Sequence, residues 1–214
     1  MRVLIVAPDQ PGLYTIPEVR AIQAWHYTST LNGKVTLEDV VQTCLATAFD
    51  TIHFATHGGP EGLQLSDGEL LTPSDVARIA RMHDTPEIFF NACNTAGLAA
   101  RVVREGPQYA ISALNDLPDD DAWKFPYAYY SARQAGHAKG PVGAFMAADA
   151  NDGSYALLVA PAYVQELQAC MAQLKTVPGG ALTISRRELI ILLTVFLALA
   201  VTITYVLVNL TGNT

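Results

Sequence analysis

The chain is short of charge and short of cysteine. Of 214 residues only 33 are charged, 13 basic and 20 acidic, and three are cysteine. Cys44, Cys93 and Cys170 are odd in number and far apart, so they build no disulfide framework, and with no CxxC pair they offer no structural zinc site. Such usage suits a reducing compartment. The shortage of Lys and Arg excludes a nucleic-acid partner, because a net charge of −7 leaves no basic footprint. Through residue 161 there are 10 basic and 18 acidic side chains, a net charge of −8. Neither a GxGxxG nor a P-loop run occurs, which sets aside a flavodoxin-like or nucleotide-binding domain. With no ligand spacing and no cofactor motif, neither a metal nor a cofactor is expected.

In one stretch charge is missing altogether. Leu189 to Val208 carries none, and 17 of those 20 residues are apolar. Twenty residues at about 1.5 Å rise span about 30 Å, the thickness of a bilayer's hydrocarbon core. Arg186 and Arg187 precede the run, while the tail Asn209 to Thr214 has no basic residue. The positive-inside rule therefore predicts a single-pass transmembrane helix over 188–209 in a cell inner membrane. The larger domain would be cytoplasmic and a short tail, 210–214, would lie outside. A buried core helix is the alternative. On an anionic leaflet the acidic domain would be held off the lipid, with Arg186 and Arg187 as the contact. The other end is not a secretory signal: Val3 to Ala7 is too short an apolar run and reads as a buried strand.

Residues 1–161, enough for one sizeable core, alternate strand and helix signals. After the first strand, a helix is expected over about Val19 to Leu31, closed by Asn32-Gly33. Thr36-Leu37-Glu38-Asp39 opens a second helix with a polar cap and an acidic first turn. Thr51 to Thr56 is a strand, and Ser66-Asp67-Gly68 turns a small hairpin. Thr72-Pro73 starts a helix to about Met82, Glu87 to Asn91 is a strand, and Thr95 to about Arg104 is a helix. A strand over Tyr109 to Leu114, helices over Asp119 to Ala135 and Val142 to Ala150, and a strand over Tyr155 to Ala160 follow. Helices between strands predict an α/β fold, a mostly parallel sheet sandwiched between helices. Residues 162–187 read as a juxtamembrane linker.

Parallel sheets gather reactive groups at the carboxyl ends of their strands. His57 stands at one such end, followed by Gly58-Gly59, and Cys93 stands just past another, before a helix. A Cys near a helix N-terminus with an imidazole in reach is a good nucleophile, and glycines let backbone N–H groups approach a reacting carbonyl. Alone, the pair is more often a feature of ordinary packing, since cysteines are mostly buried as small hydrophobes.

The runs TIHFATHGGPEGLQLSDGELLTPSDVARI (Thr51 to Ile79) and PEIFFNACNTAGLAARVV (Pro86 to Val103) resemble the CHAT branch of the caspase-like cysteine peptidases. That branch includes separase and caspase-like effectors of bacterial defence. The shared pattern is an apolar strand ending in His-Gly, a hairpin with Asp-Gly, a helix, then a strand ending in Asn/Ser-Ala-Cys before a small-residue helix. Ala113 to Gly136 and Gly143 to Asp152 match looser features. The resemblance covers about residues 1–161 and implies a caspase-like sandwich. It also implies Cys93 as nucleophile, His57 as general base and acid, and the N–H groups of Gly58 and Cys93 as the oxyanion site. Asp9 and Asn91 would line the pocket for the residue before the scissile bond. There Asp9 would select Arg or Lys by a charge-assisted bond, or else merely cap its turn. The implied protein is a membrane-anchored endopeptidase acting on a protein substrate in antiviral defence or programmed cell death, triggered by a partner or sensor. A silent adaptor of the same fold, working through protein–protein contacts, is the competing reading.

Other candidates read more plainly. His53 is expected as a hydrogen-bonded core histidine, with orientation of the site as the alternative. Asp116, Asp119, Asp120 and Asp121 read as a solvated helix start favoured by the helix dipole, or else as a border of the cleft. Cys44 lies on an apolar helical face and is expected in the core. His26, His83 and His137 show no partner in the sequence, and Cys170 is unassigned.

Overall fold

The structure is a computed structural model that describes residues 1–164 and 168, apart from 67, 119, 120, 136–139 and 149–152. The expected linker beyond residue 168, the helix over 188–209, the tail, Cys170, His137, Asp119 and Asp120 all lie outside the described residues. No helix among the described residues is long and apolar enough to cross a membrane.

Runs of β-branched and aromatic residues form the strands β1 (Arg2–Pro8), β2 (Tyr27–Gly33), β3 (Thr51–Ala55), β7 (Glu87–Asn91), β8 (Tyr109–Ala113) and β9 (Tyr155–Val159). They make one sheet in the order β2-β1-β3-β7-β8-β9, parallel throughout except for β9, which runs antiparallel to β8. Three short strands, β4 (Gly58–Gly59), β5 (Gly62–Gln64) and β6 (Leu70–Leu71), form a separate antiparallel sheet directly after β3. The helices are α1 (Ile16–Gln23), α2 (Leu37–Ala46), α3 (Pro73–Arg81), α4 (Ala96–Glu105), α5 (Lys124–Ala135) and α6 (Gly140–Ala147). Reciprocal hydrogen bonds between Thr36 and Asp39, and between Thr72 and Asp75, start α2 and α3.

Alternation along the strands sorts side chains onto two faces. Leu4, Val6, Ile52, Phe54, Ile88 and Phe90 join the core that includes Val40 and Cys44 of α2, Val76 and Ile79 of α3, and Leu98 and Val102 of α4. Val3, Ile5, Ala55, Phe89 and Ile111 face Ile22 of α1, Phe125, Tyr129 and Tyr130 of α5, and Ala144 of α6. Phe54 and Phe90 stack at 5.9 Å between ring centres, so truncating either to Ala would cost about 3–5 kcal/mol.

One expectation fails. The stretch expected as the second half of a helix ending at Leu31 is strand β2, and α1 closes at Gln23. Tyr27-Thr28-Ser29-Thr30 is a β-favouring run that pairs in register with β1, Arg2 opposite Tyr27 through Pro8 opposite Gly33. Asn32-Gly33 ends a strand, with Gly33 at φ +74°, rather than a helix. The helix expected from Asp119 is observed from Lys124.

Candidate functional site

Five parallel strands point one way, so the segments after β1, β3, β7 and β8 meet at one edge of the sheet. Ala55 pairs with Asn91, which brings the stretches carrying His57 and Cys93 out of neighbouring strands. Both residues are half-buried.

The segment after β1 holds His57. The Gln10 carboxamide oxygen accepts the His57 N–H and the Thr56 hydroxyl, each at 2.9 Å, and its nitrogen donates to the Gln64 carbonyl at 2.8 Å. The ring Nε2 of His57 lies 3.0 Å from the Pro11 carbonyl oxygen. A carbonyl only accepts, so Nε2 carries the hydrogen and Nδ1 keeps the lone pair of the neutral ring.

Gly58 is closely packed against the Cys93 turn. A Cβ built on it would lie 2.9 Å from Ala92 Cβ, 3.0 Å from a Leu63 methyl and 3.1 Å from Thr95 Cγ2. Only glycine lets the end of β3 pack this closely on the turn that carries Cys93. The Gln64 N–H donates to the His57 carbonyl at 2.9 Å, which makes Gly58 and Leu63 a non-hydrogen-bonded pair. The Gly58 N–H therefore points away from β5. A cleft of about 290 Å³ opens beside His57, lined also by Gly59, Glu61, Gln64 and Leu70. A larger cavity, about 570 Å³, is lined by Glu61, Thr72, Arg101 and Arg104 and reaches neither His57 nor Cys93.

Cys93 lies in the turn between β7 and α4, three residues before the first helical residue. Its Sγ accepts the Leu117 N–H at 3.3 Å. Asn94, at φ +54°, donates its N–H to the Asn115 carbonyl at 3.2 Å and its side-chain amide to Asp116 at 2.6 Å. Asparagine is among the few residues that take this left-handed conformation at small cost. The turn is thus laced to the segment after β8. Among the described residues no hydrogen bond joins Cys93 to His57.

Asp9 is exposed just past β1, with its N–H on the Gly33 carbonyl and, among the described residues, no hydrogen bond to its carboxylate. Asn91 is buried and its amide is engaged: Nδ2 donates to Glu18 at 2.6 Å and to the Ala122 carbonyl at 3.1 Å, while Oδ1 accepts the Tyr155 hydroxyl. His53 is fully buried, between Glu18 at 2.5 Å and the Tyr130 hydroxyl at 3.0 Å, the hydrogen-bonded core histidine expected. Cys44 is in the core, and burial pushes its thiol up to about 11. His26 and His83 find backbone carbonyls, of Tyr130 and Leu45. Asp116 pairs with Asn94 and Asp121 with Lys124.

Sequence reasoning missed the Pro11 carbonyl, Gln10 and Glu18. A backbone carbonyl has no residue signature. Nor do a surface-side Gln and a first-turn Glu announce that their partners lie tens of residues away.

A model of the CHAT domain matches residues 4–148. No curated protein sequence matches the chain. Among solved structures, the Arg specific cysteine proteinase gingipain R superposes with a TM-score of 0.54 at 12 % identity, over 75 % of this chain and 46 % of that one. The chain thus spans under half of that protein's length, and the likeness is one of fold. A pyridoxal kinase from Staphylococcus aureus in complex with pyridoxal gives a TM-score of 0.38 at 13 % identity, over 69 % of this chain and 84 % of that one. With a family match across most of the chain, the protein belongs to the CHAT-domain family, and its α/β fold is similar to that of a cysteine proteinase.

Proposed function

We propose that the chain is a cysteine endopeptidase that uses Cys93 and His57, anchored to a membrane through residues 188–209. The observation that carries this reading is the packing of Gly58 onto Ala92 and Thr95, which sets the residue after His57 against the turn that carries Cys93. His57 Nδ1 takes the Sγ proton, and the thiolate attacks the peptide carbonyl carbon. The new oxyanion accepts the N–H groups of Gly58 and Cys93. The C–N bond then breaks as the imidazolium protonates the leaving amine, and water, deprotonated by His57, hydrolyses the thioester. In the described arrangement the thiol rests on the Leu117 N–H, so attack requires Sγ to leave that donor and meet Nδ1. This is a latent arrangement, and it fits activation by a partner or sensor. Asp9, whose carboxylate has no hydrogen bond among the described residues, is proposed to favour Arg or Lys before the scissile bond. By family analogy the role is antiviral defence or programmed cell death.

The full chain in detergent should cleave a member of a fluorogenic peptide library once its trigger is supplied, and Cys93→Ala should abolish cleavage. Cleavage that persists in that variant would remove Cys93 as the nucleophile. Asp9→Asn should erase a preference for basic residues. The missing bond between Cys93 and His57 favours one competing reading, a silent adaptor. An electrophilic thiol probe that labels Cys93, and fails to do so after His57→Ala, decides for the enzyme.

A further inference from the structure

Beneath the strand ends runs a buried polar chain for which the chemistry above has no use. Glu18 of α1 is 4 % exposed, and one of its oxygens, Oε1, meets both His53 Nε2 at 2.5 Å and Asn91 Nδ2 at 2.6 Å. A carboxylate taken out of water is tolerated only when its lone pairs are occupied, and here two donors converge on one oxygen. His53 is fixed in turn by the Tyr130 hydroxyl and by the face of Phe89, 4.7 Å between ring centres. Asn91 spends its second amide hydrogen on the Ala122 carbonyl. That carbonyl belongs to the segment after β8, the same segment whose Leu117 N–H meets Cys93 Sγ. Asn91 itself is the last residue of β7, two before Cys93.

We infer that Glu18 and Asn91 are a positioning pair. Glu18 fixes the Asn91 carboxamide, and Asn91 fixes the Cys93 turn against Ala122. This rests on the reading of Cys93 as the nucleophile, and it replaces substrate contact as the role of Asn91, whose two amide hydrogens are both spent inside the fold. A pair that worked by packing alone would be indifferent to which partner donates. A positioning pair is sensitive to that polarity and is repaired when donor and acceptor are exchanged.

The test uses the full chain in detergent with three variants: Glu18→Gln, Asn91→Asp, and the two combined. Asn91→Asp sets two carboxylates against each other. It should lower kcat about 100-fold with KM within about twofold, as misplacement of a reacting group does. The combined variant restores one donor facing one acceptor across the pair, with the Ala122 carbonyl still lacking its donor, and should regain about threefold or more of that loss. Carbamidomethylation of Cys93, followed by peptide mass, should fall and recover in the same order, because an N–H donor on sulfur favours the reactive thiolate. That readout needs no cleavage: a chain that labels in this order, but whose triggered cleavage survives Cys93→Ala, overturns the peptidase reading and leaves the pair standing. A combined variant that labels no faster than Asn91→Asp overturns the pair. So does a loss carried by KM, which would place Asn91 against substrate. If Asn91→Asp does not fold, a combined variant that folds and labels at Cys93 supports the pair, and one that also fails to fold overturns it.

Discussion

The Nε2 atom of His57 and the carbonyl oxygen of Pro11 lie 3.0 Å apart. This contact orients the ring and chooses its tautomer, with no second side chain involved. In the neutral protein, nitrogen-15 spectra of His57 should show the hydrogen on Nε2 and a bare Nδ1. A spectrum with the hydrogen on Nδ1 would leave the ring without a base toward Cys93.

Gly58 and Gly59 are neighbours with opposite tolerances. A methyl group on Gly58 meets Ala92, Leu63 and Thr95 at 2.9–3.1 Å, whereas nothing lies within 4 Å of one on Gly59. Gly58→Ala should cost about 1–3 kcal/mol in urea unfolding and displace the Cys93 turn. Gly59→Ala should cost less than about 0.5 kcal/mol. Equal effects of the two would mean that the turn yields.

The two described thiols should separate cleanly. Burial pushes Cys44 up to about 11, so at pH 8 it is almost wholly protonated and inside the core. Iodoacetamide should modify Cys93 and spare Cys44 in the folded chain, as read by peptide mass. Early labelling of Cys44 would show that α2 opens from the sheet.

Acid should weaken the fold through His26. Burial lowers its pKa below 6.5, overriding the bond to the Tyr130 carbonyl. Below about pH 6.5 the unfolded chain binds a proton that the folded chain refuses, so stability falls as the pH drops towards the folded value. Urea midpoints at pH 7.5 and 5.5 should differ less in His26→Gln than in the native chain. An unchanged difference would assign the acid sensitivity elsewhere.

Much of the fold was legible because its physics is local. The apolar run of β1, the cap at Thr36 and the Thr72-Pro73 start each act within a few residues. β2 was misread because Tyr27-Thr28-Ser29-Thr30 lacks apolar alternation; its strand character comes from pairing with β1, which local pattern does not encode. In the site, His57-Gly58 and Asn91-Ala92-Cys93 were visible as residue types at strand ends. Their supports were not. Glu18 reaches Asn91 across 73 positions and Gln10 reaches His57 across 47, distances that only the folded sheet closes.

The ladder between β3 and β7 has a consequence in time. Thr51 to Ala55 face Glu87 to Asn91 rung for rung, and between them the chain must complete a small sheet and α3. Closing so long an intervening segment is slow and strongly cooperative. A chain that lacks this ladder does not set the His57 stretch beside the Cys93 turn, so the pair is a product of the assembled sheet rather than of any local segment.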